Sequence, residues 1–240
     1  MRVALLQINP TPGDLEGNAA LILQGAKRAS ALKADLVVTP ELSLMGYFPR
    51  DLLMNEGFVQ RANARAQSLA AELQGQPPVL VGLAQVNAGM GRPLRNSAVL
   101  LRNGQVGPSF FKSLLPTYDV FDEDRYFEPE TEAKVLDLDG NKIGVSICED
   151  AWNDYDFWNR RRYHRDPIAS LVEAGAKSIV NLSASPFHAG KQAFREKMLS
   201  HMASKHRVPL VYVNQVGGND DLIFDGSSAA WNASGEMIAR

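Results

Sequence analysis

The sequence predicts an α/β domain with mixed β-sheets. Short apolar and β-branched runs alternate with longer stretches of three- and four-residue apolar periodicity, which is the pattern of strands covered by helices. Asn103-Gly104 and Asp139-Gly140 each separate two strand-like runs, and these dipeptides suit the positive φ angles of a type I′ hairpin turn. Hairpins add antiparallel strands, so we expect mixed sheets within one large domain of 240 residues.

The elements follow in order from the apolar pattern. In the first predicted helix, Ala19, Ile22, Leu23, Ala26 and Ala29 form an amphipathic stripe. The predicted helices are residues 15–32, 56–73, 168–174 and 192–206. The predicted strands are residues 3–8, 36–39, 79–86, 97–102, 105–111, 134–138, 142–147, 178–181, 210–214 and 236–239.

Composition and charge exclude several classes of function. Hydrophobic residues make up 45% and charged residues 22% of the chain, as in ordinary globular proteins. A formal net charge of -2 gives no sign of a nucleic-acid or polybasic membrane surface. The chain has no apolar run of transmembrane length and no signal-peptide pattern at its N-terminus. We therefore expect a cytoplasmic protein without nucleic-acid or membrane partners.

Cys148 is the only cysteine, so it forms no intrachain disulfide. It could be a buried apolar side chain, an incidental thiol or a nucleophile. The predicted strand 142–147 ends directly before it, and polar residues follow. Functional groups of α/β proteins gather at the carboxyl ends of strands, which favours a nucleophile.

A nucleophilic thiol needs a base or a positive neighbour. None of the four histidines, at positions 164, 188, 201 and 206, lies in a cysteine-protease context. The sequence contains no HExxH motif or closely spaced His/Asp ligand set, so we expect no metal site. It also lacks the GxSxG motif of serine hydrolases.

Glu41 and Lys112 are the remaining candidates. Each follows a predicted strand, and each alone could be an ordinary solvated side chain. Together with Cys148, they place a carboxylate, an ammonium and a thiol at strand ends of one domain. The carboxylate can accept the thiol proton, and the ammonium can stabilise the oxyanion formed when a carbonyl is attacked. These groups suit acyl transfer from an amide.

The segments around these three residues resemble the nitrilase superfamily over nearly the whole chain. Glu41 lies in TPELSLMGY, Lys112 in FFKSLLPTYDVFDEDRYF and Cys148 in SICEDAW. This resemblance implies a four-layer αββα sandwich with a catalytic Glu–Lys–Cys triad.

Three further segments are similar to one branch, the glutaminase domain of glutamine-dependent NAD⁺ synthetases. They are LPTYDVFDEDRYF, NLSASPFHAGK and NQVGGNDDLIFDGSS. The resemblance implies that residues 1–240 form a glutamine amidotransferase domain, which hydrolyses glutamine through a thioester and passes ammonia to a C-terminal synthetase domain. That domain is absent from this chain, which has no SGGxDS-type loop. The resemblance further implies a homo-oligomer, no cofactor in this domain, and ATP and Mg²⁺ only in the synthetase domain.

The resemblance also implies contacts for glutamine. The matching positions are Tyr47, Tyr118, Glu149, Trp152, Ser185 and Lys191. Glu149 suits the α-ammonium group, and Lys191 with Ser185 suits the α-carboxylate. The tyrosines and Trp152 could equally be packing residues. Glu123 matches an acidic residue near the triad that could orient Lys112 or assist proton transfer.

Two alternatives remain open at this stage. A stand-alone amidase or carbamoylase of the same superfamily would use identical chemistry on another substrate. A non-catalytic binding or scaffolding module would differ in class, although it would have no need of all three triad residues.

Overall fold

Two β-sheets pack face to face in the computed structural model, which describes all 240 residues. The strands of the first sheet lie side by side in chain order, the first three parallel and the last two antiparallel. They are β1 (Val3–Leu5), β2 (Leu36–Val38), β3 (Val79–Val86), β4 (Leu94–Arg102) and β5 (Gln105–Phe111).

The second sheet is built from the other half of the chain. Its strands are β6 (Val135–Leu138), β7 (Asn141–Ile147), β8 (Ser178–Ser183), β9 (Leu210–Asn214), β12 (Ala229–Trp231) and β13 (Met237–Ala239). They lie in the order β13-β12-β9-β8-β7-β6, with β7, β8 and β9 parallel and the other pairs antiparallel. A separate antiparallel pair consists of β10 (Val216–Asn219) and β11 (Leu222–Asp225).

Both predicted hairpin turns are confirmed. Asn103 and Gly104 have φ angles of 53° and 75°, and Asp139 and Gly140 have φ angles of 52° and 84°. Two consecutive positive φ angles match a type I′ turn, whose twist fits that of the flanking strands.

Four helices cover the outer faces of the sheets. They are α1 (Leu15–Ala31), α2 (Glu56–Glu72), α3 (Pro167–Glu173) and α4 (Lys191–His206). Three of them begin after a side-chain N-cap: the carboxylates of Asp14 and Asp166 and the amide oxygen of Asn55 each accept a backbone N–H of the first turn. None of the four helices combines the length and the hydrophobicity that spanning a bilayer requires.

Three separate hydrophobic cores define four layers. One core joins α1 and α2 to the outer face of the first sheet, for example through Ile22, Ala62 and Val81. A second lies between the two sheets and includes Leu80 and Val180. The third joins α3 and α4 to the second sheet. The predicted αββα sandwich with two mixed sheets is therefore confirmed.

The structure adds elements that the apolar pattern did not predict. Strands β10 to β12 are short, and the first two flank the Asp220-Asp221 turn, whose composition predicts a loop. Three short 3₁₀ turns were also missed, at Arg50–Met54, Glu123–Arg125 and Cys148–Ala151. The last two carry residues of the site.

Candidate active site

Glu41, Lys112 and Cys148 come from two different sheets. Glu41 follows β2 and Lys112 follows β5, both in the first sheet, whereas Cys148 follows β7 in the second. All three are buried, with exposed fractions of 0%, 1% and 6%. The Lys112 Nζ lies 2.7 Å from the Glu41 Oε1. The packing of one sheet on the other thus brings the three predicted residues together.

Lys112 lies between two carboxylates. Besides the Glu41 bond, its Nζ donates to both oxygens of Glu123, at 2.9 and 2.7 Å. Burial alone would lower the pKa of Lys112, but the carboxylates of Glu123 and Glu41 outweigh burial and hold that pKa well above its ordinary value. Burial raises the pKa of Glu123 to about 7, although Lys112 opposes this shift. Lys112 is therefore a fixed ammonium.

The carboxylate of Glu41 is oriented by three donors. Its Oε1 accepts from Lys112 and from the Asn96 Nδ2, the latter at 2.8 Å. Its Oε2 accepts only the backbone N–H of Ala184, at 3.2 Å. Oε2 has the fewer donors, so it is the oxygen with room for a further proton.

Cys148 begins the 3₁₀ turn in a left-handed conformation, with φ of 41°. Such a backbone is uncommon for a non-glycine residue and is found at functional sites. Asp150 stabilises the turn, because its Oδ2 accepts the Ile147 N–H at 2.9 Å. Its Oδ1 accepts the N–H groups of Ser113 and Leu114, at 3.0 and 2.8 Å. Asp150 thereby joins the turn that begins at Cys148 to the chain that follows Lys112.

The surroundings of the thiol keep it protonated at neutral pH. Burial raises the pKa of Cys148 far above its ordinary value, and Glu41 raises it further. Lys112 and the Ala184 N–H oppose these effects without cancelling them. A thiol in this state needs a base at the moment of reaction, and Glu41 is the carboxylate that acts most strongly on it.

A cavity of about 820 Å³ opens onto Cys148. Five of the six predicted substrate contacts line it: Tyr118, Glu149, Trp152, Ser185 and Lys191. Tyr47 is not among the lining residues, and its buried hydroxyl donates to Glu123 at 2.9 Å. Tyr47 therefore contacts the triad's supporting carboxylate at the position where the resemblance implied a substrate contact.

Glu149, next to Cys148 in the chain, presents a carboxylate to the cavity. It accepts the hydroxyl of Tyr118 at 2.9 and 3.0 Å and that of Tyr163 at 3.0 Å. Burial raises the pKa of Glu149, while Lys112 and the two hydroxyls favour its charged form. Lys191 Nζ donates to the Pro186 carbonyl at 3.1 Å and lies 5.2 Å from the centre of the Trp152 ring.

Sequence reasoning missed three supporting residues, Asn96, Asp150 and Tyr163. Asn96 is a buried polar residue near the start of β4, and Arg95 and Ser97 flank it, so no interrupted apolar run marked it in the sequence. Asp150 and Tyr163 lie in polar segments where any such side chain could be solvated, so the sequence gave no signal for them.

One group of side chains has metal-ligand spacing in space, although the sequence showed no such motif. Asp154, Asp166 and His206 bring their ligand atoms within 4.8 Å of one another. The Lys205 Nζ lies 3.0 Å from the Asp154 Oδ2, so an ammonium already balances this carboxylate.

The family of the chain follows from comparison with known proteins. The carbon-nitrogen hydrolase family model matches residues 2–240. The chain belongs to the carbon–nitrogen hydrolase family. This match covers the whole sandwich, including the three strand ends that carry Glu41, Lys112 and Cys148.

The relatives of this carbon–nitrogen hydrolase are longer proteins. It is 48% identical to a glutamine-dependent NAD(+) synthetase of Synechocystis sp., over 99% of this chain and 43% of that protein. It is 39% identical to that of Thermotoga maritima, over 99% of this chain and 39% of that protein. The chain therefore spans about two fifths of the length of these relatives.

Solved structures agree with this relationship. A glutamine-dependent NAD⁺ synthetase from Acinetobacter baumannii matches with a TM-score of 0.87 and 35% identity, over 98% of this chain and 42% of that one. An amidase of the nitrilase superfamily from Nesterenkonia matches with a TM-score of 0.83 at 24% identity, over 100% of this chain and 85% of that one, and this likeness concerns the fold alone.

Proposed function

We propose that the chain hydrolyses the side-chain amide of glutamine through a thioester on Cys148 and supplies the ammonia to a synthetase domain of the full-length protein. The observation that carries the proposal is the buried Glu41–Lys112–Cys148 cluster beside a cavity with a carboxylate, Glu149, on its wall. The two relatives named above are glutamine-dependent NAD(+) synthetases, which supports glutamine as the substrate.

The first half of the reaction forms the thioester. Glu41 accepts the thiol proton as the Cys148 sulfur attacks the amide carbon, which turns the carbonyl into an oxyanion. The buried Lys112 ammonium stabilises that charge. The protonated Glu41 then gives its proton to the departing nitrogen, and ammonia leaves as the carbonyl re-forms.

The second half releases glutamate. Glu41 removes a proton from a water molecule that attacks the thioester carbon, and Lys112 again stabilises the oxyanion. Collapse of this intermediate breaks the carbon–sulfur bond, and the proton on Glu41 returns to the sulfur. The enzyme is thereby regenerated without any cofactor.

Replacement of the nucleophile tests this chemistry. Cys148→Ala is expected to abolish ammonia release from glutamine while leaving the circular dichroism spectrum and the Tm unchanged within a few degrees. A glutamine-analogue diazoketone should label Cys148 in the wild type, detected by mass spectrometry of peptides. The alanine variant is its control, because the chain has no other cysteine. Substantial glutaminase activity in this variant would contradict the proposal.

A second experiment tests the link to a synthetase domain. Glutamate formation is measured for the 240-residue chain and for the full-length protein, with and without ATP, Mg²⁺ and the NAD⁺ precursor. The ligands should raise the catalytic constant of the full-length protein, because glutamine hydrolysis without synthesis wastes ammonia. Equal rates under all conditions would favour a stand-alone amidase. A homo-oligomeric assembly and a cytoplasmic location stay predictions.

A further inference from the structure

Two of the sequence segments that resemble the glutaminase branch meet beside Glu41. One of them carries Ala184 and Ser185, and the other begins at Asn214. Ser183, the last residue of β8, pairs with Asn214 at the end of β9. The chain leaves the ladder after this pair, because the next backbone N–H turns toward the Glu41 carboxylate. Strand pairing alone therefore does not hold Ala184 in place.

The backbone at this strand end is bonded to Glu41 twice. The Glu41 N–H donates to the Ser183 carbonyl at 3.3 Å, and the Ala184 N–H donates to the Glu41 Oε2 at 3.2 Å. The Ala184 N–H also lowers the pKa of Cys148, against the larger effect of burial. One backbone N–H thus acts on both the base and the nucleophile. Because such a donor stabilises a charged acceptor more than a neutral one, its position affects how easily the thiol is ionised.

The side-chain amide of Asn214 holds Ser185, the residue that follows this N–H. The Asn214 Oδ1 accepts the Ser185 N–H at 2.8 Å, and the Asn214 Nδ2 donates to the Ser185 carbonyl at 3.2 Å. Asn214 is fully buried, so neither bond can be replaced by one to bulk water, and leaving either group unpaired is costly. One side chain therefore fixes both backbone polar groups of Ser185.

Two further contacts set the orientation of the Asn214 amide. Its Nδ2 also donates to the Gly226 carbonyl at 3.0 Å and to the Asp225 Oδ1 at 3.4 Å. A flipped amide would turn its oxygen toward three acceptors and its nitrogen toward the Ser185 N–H, so only one orientation satisfies every group. Asp225 in turn pairs with the buried Arg195 at 3.1 Å. The amide thus rests against an ion pair that keeps it from turning.

We propose that Asn214 is a positioning residue for the reaction: by binding the backbone of Ser185, it holds the Ala184 N–H in place. This inference rests on the proposed function, in which that N–H orients the Glu41 carboxylate and favours the Cys148 thiolate. Asn214 does not line the cavity, so it acts only through the backbone. Its loss should slow ionisation of the thiol and leave substrate binding largely unchanged.

Asn214→Ala tests this role with two readouts. The kcat for ammonia release from glutamine should fall about 10- to 100-fold, the effect of one lost hydrogen bond to a charged group, while KM stays within about 3-fold. Alkylation of Cys148 by iodoacetamide at about pH 8 should slow about 3- to 10-fold, since fewer thiolates form but each is more nucleophilic. A purely structural role predicts the opposite sign, because a loosened site would expose the buried thiol and speed its alkylation.

Asn18→Ala is the matched control, because it removes an equivalent pair of bonds elsewhere. Asn18 is buried, its Oδ1 accepts the Thr11 N–H, and its Nδ2 donates to the Thr11 carbonyl, both at 2.8 Å. Its Nδ2 also donates to the Leu44 carbonyl at 3.2 Å, but the Leu44 N–H keeps its own bond to the Gly82 carbonyl. This control should lose a similar free energy of unfolding in urea and retain the wild-type kcat and alkylation rate.

Ser228→Ala is a milder change at the same place. The Ser228 hydroxyl accepts the Asn214 N–H at 3.0 Å and donates to the Asn214 carbonyl at 3.3 Å. The variant keeps the Asn214 amide but loosens the backbone that carries it. Because only neutral hydrogen bonds are lost, kcat and the alkylation rate should each fall about 2- to 10-fold.

The outcomes separate this inference from the proposed function. A wild type that releases no ammonia from glutamine overturns the proposed function, while the alkylation rates still decide the role of Asn214. Wild-type kcat in Asn214→Ala, a change in KM alone, or alkylation faster than in the wild type overturns that role, and so do equal losses in Asn18→Ala. If Asn214→Ala does not fold, wild-type rates in Ser228→Ala overturn the role, and a fall in both rates supports it.

Discussion

Replacing Glu123 by glutamine should lower activity without destabilising the protein. Lys112 faces two buried carboxylates, Glu41 and Glu123, so the cluster carries one excess negative charge when both are ionised. Glu123→Gln leaves a one-to-one pair of Lys112 with Glu41. Removing the only partner of a buried charge is strongly destabilising, but here a partner remains.

The expected change in stability depends on pH. Burial raises the pKa of Glu123 to about 7 in the folded state from an ordinary value of 4.5. The folded state therefore binds more protons than the unfolded state between these values, and stability falls as pH rises through about 7. The loss is about 3 kcal/mol for a fully buried carboxyl. The glutamine side chain at position 123 of the variant does not ionise, so the variant should lack this loss of stability.

The expected loss of activity comes from the position of the ammonium. Each oxygen of Glu123 accepts a hydrogen bond from Lys112. In the variant, the amide oxygen can still accept one of them, but the amide nitrogen cannot accept the other. Losing one charge-assisted hydrogen bond costs about 1.5–3 kcal/mol, which corresponds to a kcat about 10- to 100-fold lower. The variant's pH profile should also lack the inflection near pH 7 that Glu123 gives the wild type.

Two measurements test this reasoning. Urea unfolding at about pH 5 and about pH 8 gives the free energy of unfolding of the wild type and of the variant. Relative to the wild type, the variant should be about 3 kcal/mol more stable at about pH 8 than it is at about pH 5. Steady-state ammonia release gives kcat. Glu128→Gln is the control, because this half-buried carboxylate in the same loop pairs with Arg92 instead. A variant with wild-type kcat, or one destabilised by several kcal/mol at both pH values, would refute the reasoning.

Three further changes probe the site. Glu41→Gln and Lys112→Met should each lower turnover at least about 10²-fold, and the double variant should fall far short of the product of the two losses, as measured by glutamate formation. Asn96→Leu removes a donor to the Glu41 carboxylate, so it should lower kcat/KM about 10- to 100-fold, because a hydrogen bond to a charged group is lost; an unchanged kcat/KM would exclude this positioning role. Asp150→Asn loses at least one of three backbone hydrogen bonds, so it should lower the free energy of unfolding by about 1–3 kcal/mol. Wild-type stability would show that Asp150 does not hold the Cys148 turn to the chain after Lys112.

The sequence predicted the elements whose periodicity is strong. Strands 79–86, 105–111 and 210–214 were predicted with their observed bounds, because valine-rich runs mark the first and the last, and the Asn103-Gly104 turn marks the start of the second. The three-residue β12 was missed, since Ala229–Trp231 acquires its strand conformation only by pairing with β9. Tertiary pairing, which a short run cannot reveal, decides such cases.

The residues of the site likewise fall into those that the sequence could predict and those that it could not. Glu41, Lys112 and Cys148 could be found because each closely follows the carboxyl end of a strand, where functional groups of α/β proteins gather, although they come from two different sheets. Arg162 and Tyr163 reach the cavity through a loop whose path depends on contacts such as that of Asn153 with the Tyr163 carbonyl. No periodicity encodes a path of this kind, so the sequence could not place them.

The division of the chain between two sheets has a consequence for when the enzyme becomes reactive. The first sheet ends at Phe111 and the second begins at Val135, so Glu41 and Lys112 belong to one half of the polypeptide and Cys148 to the other. During synthesis the first half emerges without the thiol. The thiol meets Glu41 and Lys112 only when the second half has docked. For the same reason, the two halves could be produced as separate fragments, and amide hydrolysis would then report that they had associated.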